Sequence, residues 1–233
     1  MLGLRDRLRN WLVHDKPDLL RILRLVRYEL EVARTDLTGR LSPAQHGRIR
    51  RLAHERNLRI HIASGSNRIP GWVNVDAARG VDVQMDLRRR LPFAADSAQL
   101  IFSEHFLDHL QFPDVAGRFL SECRRVLGPG GRLRVVLHDA EILARRFVER
   151  DAEFFRVASN TDAPPAEALN HLYRFNGFHQ FLYDFDTLEE LLLRCGFSRV
   201  IRSTFRGSEI PELNLDLDYP DRPIQSLYVE AVK

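Results

Sequence analysis

Short runs rich in β-branched and aromatic residues alternate with helical segments from residue 58 to the end of this 233-residue chain. The runs lie at 58–63, 72–75, 81–85, 100–103, 133–137, 200–204 and 227–232. Strands that are separated by helices form parallel sheets, because each helix carries the chain back across a face of the sheet. The alternation therefore predicts an α/β fold with a mostly parallel sheet and helices on both faces.

Two helices in this part of the chain have clear start or stop signals. One is predicted over 113–127, where Gly128-Pro129-Gly130-Gly131 supplies a stop signal and a tight turn before the next strand. The other is predicted over 187–195, with Asp186 or Thr187 as its cap. A chain of this length buries one core well. We therefore expect one catalytic unit.

The chain divides into an N-terminal helical extension, 1–57, and an α/β unit, 58–233, in which the aromatic-rich segment 151–180 is an insertion over the sheet edge. Within the extension, 18–33 carries apolar residues at helical spacing, 4–12 is a shorter version, and Ser42-Pro43 opens a third helix that ends near residue 56. We expect these helices to cover one side of the α/β unit or to mediate a homodimer. Peripheral contact with a membrane surface is the alternative.

Charge and cysteine content limit which binding partners and which cellular compartment are expected. Residues 1–59 carry 14 Lys and Arg against 7 Asp and Glu, which suits nucleic acid or anionic lipid but equally the solvated face of packed helices. Cys123 and Cys195 lack a CxxC spacing and a histidine cluster nearby, so we expect reduced thiols, a cytoplasmic protein and no metal site. No stretch is apolar and long enough for a membrane span.

The loop after the first predicted strand reads His61-Ile62-Ala63-Ser64-Gly65-Ser66-Asn67, with small residues where the backbone must turn. In a doubly wound sheet the ligand crevice lies at the carboxyl ends of the strands, and the first loop forms part of its floor. Asp76 closes the second strand, where a carboxylate can accept both hydroxyls of an adenosine ribose. The alternative is that Asp76 only caps the next turn.

The order of motifs from Ile69 onward is more specific than any one loop. The series is Ile69-Pro70-Gly71-Trp72-Val73-Asn74-Val75-Asp76, Asp86-Leu87, Leu91-Pro92-Phe93, Ser103-Glu104-His105-Phe106-Leu107-Asp108-His109-Leu110 and Glu122-Cys123-Arg124-Arg125-Val126-Leu127-Gly128-Pro129-Gly130-Gly131. It resembles class I S-adenosylmethionine-dependent methyltransferases, and is most similar to bacterial methyltransferase type 11-like proteins, over about residues 58–139.

The resemblance implies a Rossmann-like, seven-stranded sheet whose last strand is antiparallel, with S-adenosylmethionine across the tips of the first four strands. It implies that Ala63, Ser64, Gly65 and Ser66 lie under the methionine part of the cofactor and that Asp76 holds the ribose. Asp86 and Leu87 would then flank the adenine, and Ser103 and His105 would line the sulfonium side.

The loop departs from the family pattern in two places. The family favours a glycine-rich loop, whereas this chain has Ala63-Ser64-Gly65, and His61 stands where the family has an acidic or amide residue. Alanine adopts a positive φ only at a cost, so cofactor affinity falls if that torsion is required. A non-catalytic binding or scaffold protein that keeps the fold therefore remains an alternative.

Methyl transfer to an oxygen of high pKa calls for a general base, and histidine suits that role near neutral pH. The candidates are His105, His109, His138, His171 and His179. We favour His138, at the tip of the fifth predicted strand, and His179, in the insertion, because those two regions face the methyl group in this architecture. A nitrogen or thiolate acceptor would need no base.

The composition of the insertion indicates which class of methyl acceptor to expect. Its aromatic residues predict a lid core with one or two rings exposed to a sugar or an aromatic ring, which favours O-methylation of a small molecule or of a glycan or envelope precursor. A nucleic-acid methyltransferase is the runner-up. The arginine-rich N-terminus alone supports it, and the chain has no Asn-Pro-Pro-Tyr-like motif.

Overall fold

The structure, a computed structural model, describes residues 5–6, 11, 13 and 15–233. Most of the predicted helix 4–12 lies outside the described residues. Seven strands form one sheet: β1 Leu58–Ile62, β2 Val73–Asp76, β3 Val83–Gln84, β4 Ala98–Glu104, β5 Leu127–His138, β6 Arg199–Arg202 and β7 Ser226–Val232. The longer helices are α1 Pro17–Leu41, α2 Pro43–Leu52, α3 Asp114–Val126, α4 Ala140–Val148, α5 Ala152–Ser159, α6 Pro165–Arg174 and α7 Phe185–Arg194.

The strand order is β3-β2-β1-β4-β5-β7-β6. Strands β1 to β5 pair in parallel, whereas β7 runs antiparallel to both β5 and β6. This is the seven-stranded sheet with an antiparallel last strand that the family resemblance implies, so the predicted fold class is confirmed.

One face of the sheet carries the main hydrophobic core. Helices α2, α3 and α7 cover it with side chains such as Leu52, Phe119 and Leu188, which pack on alternate strand residues such as Ile101 and Val135. The alternation follows from the period of two along a strand. The segment between β6 and β7 covers the other face, where Leu213 packs with Trp72, Leu100, Phe102, Val136 and Tyr228.

The predicted turn at 128–131 is instead a bulge inside β5. Leu127 pairs with Ala98 and Arg132 pairs with Leu100, so the bulge residues have no regular partner on β4. The chain continues as a strand because β4 already offers it an edge to pair with. The cap of α7 also differs from the prediction. Asp184 accepts the backbone NH of Thr187 at 2.9 Å, so this helix begins two residues earlier than predicted.

The helices of the extension differ more. Ser42 caps α2 as predicted, by accepting the backbone NH of Gln45 at 3.3 Å. Helix α1, however, turns its predicted apolar face to solvent: the side chains of that face are exposed, namely Leu19, Ile22, Leu23, Val26 and Leu30. The prediction that this face covers the α/β unit is wrong.

Helix α1 packs on the unit through Val32, which is buried, and through two ion pairs. Glu29 pairs with Arg88, and Asp36 pairs with Arg89. Helix α1 therefore contacts the unit through another face, and an apolar stripe is left outward. None of the described helices is long and apolar enough to cross a membrane.

Candidate active site

The carboxyl ends of β1, β2, β4 and β5 meet at one edge of the sheet. Ile62 lies beside Val75 on one side and beside Ser103 on the other, and Ser103 lies beside Val135. The loops that follow these strands therefore begin side by side. Every cofactor and catalytic residue that the sequence predicts lies at the carboxyl end of one of these strands, in a loop that follows one of them, in the loop after β3, or in the insertion.

The loop after β1 turns through two left-handed residues, Ala63 with φ 57° and Gly65 with φ 50°. The NH of Ala63 donates to the carbonyl of Val75 at 2.9 Å, and the NH of Gly65 donates to Asp76 Oδ2 at 2.8 Å. Alanine thus adopts the torsion for which the family uses glycine. The left-handed region costs an alanine about 1–2 kcal/mol, so the contacts with β2 hold this turn against strain.

Asp76 faces the same edge and is partly engaged by the backbone. In addition to Gly65, the NH of Ala78 donates to its Oδ1 at 2.6 Å. The carboxylate therefore caps the following turn, as in the alternative interpretation of this residue. Each carboxylate oxygen can accept more than one hydrogen bond, and Asp76 also lines a cavity, so the capping role and a ligand role are compatible.

Asp86 is held by an arginine rather than free. Arg88 donates to both of its carboxylate oxygens and also forms a two-fold ion pair with Glu29 of α1. Burial alone would raise the pKa of Asp86, but its hydrogen bonds with Arg88 lower it below its usual value. Leu87, the next residue, is buried and lines the cavity beside Asp76.

Three cavities follow one another along this edge. The first, of about 140 Å³, is lined by Ala63, Asp76 and Leu87. The second, of about 240 Å³, is lined by the 63–67 loop and His105, and the third, of about 720 Å³, opens beyond His105. Ala63 borders the first two and His105 borders the last two, so the three cavities are neighbours along this edge, and we call them together the trough.

The roof of the first cavity comes from two segments that are far apart in the sequence. Tyr28 of α1 and Phe178 of the insertion meet edge to face, with ring centroids 5.3 Å apart, and both line this cavity. Leu25 lines it as well. The sequence indicated neither Tyr28 nor Leu25, because a contact between an N-terminal helix and a distant insertion leaves no local pattern.

The trough fits S-adenosylmethionine. Ser64 Oγ and Ser103 Oγ are buried at the edge and find no hydrogen-bond partner among the described residues, so a polar ligand there would satisfy them. The carboxylate of Asp76 lines the first cavity, which has the size of a nucleoside end rather than of a whole cofactor. The roles of these residues remain predictions.

Four histidines surround one buried carboxylate at the floor of the third cavity. His138 Nδ1 donates to Asp108 Oδ2 at 2.9 Å. His105 Nδ1 and His179 Nε2 lie 3.9 and 3.7 Å from the same oxygen, and His109 Nε2 lies 3.9 Å from Oδ1. We call this group the imidazole cage. It unites the two histidines favoured from the sequence, whose ring centroids are 5.0 Å apart.

The outer ring nitrogens of the cage have their own partners. His179 Nδ1 donates to the carbonyl of Leu172 at 2.7 Å, which leaves Nε2 without a proton and directed into the cage. His105 Nε2 lies 3.3 Å from Ser226 Oγ. Asp108 itself is fully buried, and its Oδ1 has no hydrogen-bond partner in the described part of the chain.

Burial sets the protonation of the cage. It lowers the pKa of His105 well below the usual value and that of His179 to about 4, and it also lowers the pKa of His109. Burial alone would raise the pKa of Asp108, but the hydrogen bond from His138 and the neighbouring imidazoles lower it. Around neutral pH the cage therefore holds an ionised carboxylate among imidazoles of which at least three are neutral.

One wall of the third cavity comes from the insertion, and another comes from residues 219–225. Helices α5 and α6 bury Phe154 and Phe155 in a small core of their own, whereas Phe175 is exposed and stacks on the ring of His179 at 5.1 Å. His171 also lines the cavity. Phe154 and Phe155 therefore belong to the core of a lid, whereas Phe175 lines the cavity.

The structure also brings in residues that the sequence did not indicate as functional. Arg222, which borders both the second and the third cavity, donates to Glu104 Oε1 at 2.9 Å. Asp108 appeared in the sequence only as part of a motif. Its role as the centre of the cage depends on His138 and His179, which are 30 and 71 residues away, so no spacing in the sequence could reveal it.

Comparison with known proteins gives one family. The family model described as "Methyltransferase domain" matches residues 41–135. No curated protein gives a significant sequence match.

Among solved structures, the chain is similar to a methyltransferase from Thermotoga maritima, with 16% identity over 89% of this chain and 97% of that one and a TM-score of 0.47. A methyltransferase from Archaeoglobus fulgidus has 16% identity over 80% and 92% of the two chains and the same TM-score. Phosphoethanolamine N-methyltransferase 2 from Haemonchus contortus, solved with S-adenosyl-L-methionine, has 15% identity over 81% and 52%, with a TM-score of 0.45.

Proposed function

We propose that the chain is a class I S-adenosylmethionine-dependent methyltransferase and that it methylates a hydroxyl group of a small molecule or of a glycan precursor. The match of residues 41–135 to a methyltransferase family model and the order of the seven strands support the first part of this proposal. One observation favours an oxygen atom as the methyl acceptor. A hydrogen-bonded His138–Asp108 pair lies at the floor of a cavity of about 720 Å³ that continues the cofactor trough. An oxygen acceptor needs its proton removed, and this pair is built to accept one.

The proposed cofactor contacts follow the trough. Asp76 accepts hydrogen bonds from the ribose hydroxyls, and Leu87, beside Asp86, packs on the adenine. The loop from Ala63 through Ser64 and Gly65 to Ser66 supports the methionine part of the cofactor. Ser103 and His105 lie at the junction with the third cavity, where the sulfonium would be presented. The bound cofactor supplies an electrophilic methyl group.

His138 is the proposed general base. Its Nδ1 donates to Asp108, so its Nε2 carries the lone pair. A buried carboxylate that orients an imidazole in this way also stabilises the imidazolium that forms when the acceptor gives up its proton. His179 is the second candidate and has the same feature, an Nε2 lone pair set by a hydrogen bond at Nδ1.

The lining of the third cavity supports a polar ring as acceptor. Phe175 offers an aromatic face, while His171, Arg156 and Asp221 offer hydrogen bonds at the same wall. Pockets that combine a flat apolar surface with a few directed polar groups suit a sugar or a phenol. Proximity to the methyl group then accounts for much of the rate.

The exposed apolar stripe of α1 is a candidate surface for binding a partner. Leu30 and Leu41 are 66% and 70% exposed, and most of the other large apolar residues of the helix are exposed as well. A stripe of this kind suits either a second copy of the chain or the surface of a membrane. Analytical ultracentrifugation and flotation with anionic vesicles distinguish the two.

The experiment is a screen for S-adenosylhomocysteine formation with deoxysugar nucleotides, lipid-linked glycans and phenolic acids. We expect one class to react, and His138→Gln to lower kcat by about 10²–10⁴-fold while the cofactor Kd, from calorimetry, stays unchanged. His54→Gln, at an exposed position of the extension, is the matched control. Full turnover in His138→Gln would exclude His138 as the general base. If the wild-type chain does not bind S-adenosylmethionine, the protein is a scaffold and not a methyltransferase.

A further inference from the structure

We propose that the imidazole cage binds one divalent transition-metal ion of the zinc class, through Asp108, His109 and His179. The sequence predicts no metal site, because neither cysteine has a CxxC spacing or a histidine cluster nearby. In the structure their ligand atoms all lie within 4.8 Å of one another. Two ligands of a tetrahedral zinc ion are about 3.3 Å apart, given zinc–ligand bonds of about 2.0–2.1 Å. Small side-chain rotations would close this difference.

The buried carboxylate gives the first independent support. Asp108 is fully buried and ionised, and its Oδ1 finds no hydrogen-bond donor within the described residues. An unpartnered buried carboxylate oxygen is costly, so its presence in a native protein calls for an explanation. A cation next to Oδ1 supplies one. His109 Nε2 lies 3.9 Å from this oxygen.

The second support is the orientation of His179. Metal-bound histidines characteristically donate their other ring NH to a backbone carbonyl or a carboxylate, which fixes the ring and the tautomer. The Nδ1 of His179 donates to the carbonyl of Leu172 at 2.7 Å, and its Nε2 points toward Asp108. This arrangement prepares the ring as a ligand.

The other two imidazoles are already engaged. The Nδ1 of His138 is hydrogen-bonded to Asp108 Oδ2, and the Nε2 of His105 lies 3.3 Å from Ser226 Oγ. A set formed by these two and Asp108 also falls within 4.8 Å, but it would break the His138–Asp108 pair. We therefore assign the metal to the set that uses the unpartnered Oδ1 and leaves His138 free.

The ligand chemistry selects the ion. Two imidazoles and one carboxylate suit zinc, cobalt, nickel or iron, whereas magnesium requires oxygen ligands in octahedral geometry. The three protein ligands leave a coordination position beside the third cavity, which His109 and His179 both line. A hydroxyl bound there would have a lowered pKa. This use of the metal rests on the proposed function, whereas metal binding itself does not.

The test is a titration of the chelator-treated, tag-free full chain with Co²⁺, followed by visible absorption and then by displacement with Zn²⁺. We expect one equivalent of Co²⁺ to give absorption bands of a four- or five-coordinate site, and excess Mg²⁺ not to displace it. His109→Gln/His179→Gln should weaken binding by more than about 100-fold, since loss of partners one shell further out already costs 10–100-fold. His54→Gln should bind like the wild type.

Absence of stoichiometric Co²⁺ binding to the wild-type chain would overturn the proposal, and so would equal affinity in the double variant. If the double variant does not fold by circular dichroism, His109→Gln alone makes the same test. Calorimetry of the metal-free chain with S-adenosylmethionine is a separate measurement. Cofactor binding without Co²⁺ binding refutes the metal site alone, and Co²⁺ binding without cofactor affinity refutes the proposed function alone.

Discussion

Replacement of Asp76 tests the cofactor site most directly. Each hydrogen bond from a ribose hydroxyl to a carboxylate contributes about 1.5–3 kcal/mol, so loss of two weakens binding by about 3 kcal/mol or more. Asp76→Ala should therefore raise the Kd for S-adenosylmethionine by about 100-fold or more. The same change frees the NH groups of Gly65 and Ala78, which hold the strained loop, and this adds to the loss.

Isothermal titration calorimetry measures the effect, with thermal melts to establish that each variant is folded. Asp76→Asn keeps one acceptor oxygen and should fall between the wild type and Asp76→Ala. Asp186→Ala, which removes an exposed carboxylate at the start of α7, is the matched control and should leave the Kd unchanged. A folded Asp76→Ala variant that binds within about threefold of the wild type, a difference below 1 kcal/mol, would refute the assignment of the ribose site.

Three further predictions follow from the packing. Ala63→Gly relieves about 1–2 kcal/mol of strain from the left-handed backbone at this position, but the greater entropy of glycine in the unfolded chain costs about 0.5–1 kcal/mol. Calorimetric melts should therefore show a Tm higher by about 1–2 °C, and a lower Tm would contradict the strain argument. Arg134→Met removes the guanidinium partner of the buried carboxylate of Asp216 and leaves Glu230 with its ion pair to Arg132. It should lower the free energy of unfolding by about 3–5 kcal/mol in urea titrations, an expectation that an unchanged midpoint would reject. Tyr28→Ala removes the edge-to-face roof contact, worth about 0.5–1.5 kcal/mol, and should raise the cofactor Kd by about 2–10-fold in calorimetry, whereas an unchanged Kd would mean that α1 does not close the site.

The parts of the site that are local in the sequence could be predicted from it. A small-residue turn after a strand and an acidic residue at the end of the next strand each depend on a few neighbouring residues. Parallel pairing then brings such loops to one edge whatever the details of the core. For this reason Ala63, Ser64, Gly65 and Asp76 were found at one end of the sheet as expected.

Features that depend on rotation or packing were predicted less well. The periodicity of α1 indicates that the helix has an apolar stripe, but not which way the stripe faces, and in the structure it faces outward while Glu29 and Asp36 pair with the α/β unit. Arg134 is part of a strand pattern in the sequence. That it is fully buried between Asp216 and Glu230 depends on residues that lie 82 and 96 positions further along the chain.

The linear chain thus determined where strands and helices alternate, since hydrophobic period and turn residues act over a few positions. It also determined the chemistry available at the strand ends. Only the tertiary structure decided that four imidazoles share one buried carboxylate, because Asp108, His138 and His179 come together through three separate connections of the sheet. Electrostatic interactions depend on distance in space and on exclusion of water, and neither is encoded by the spacing of residues along the chain.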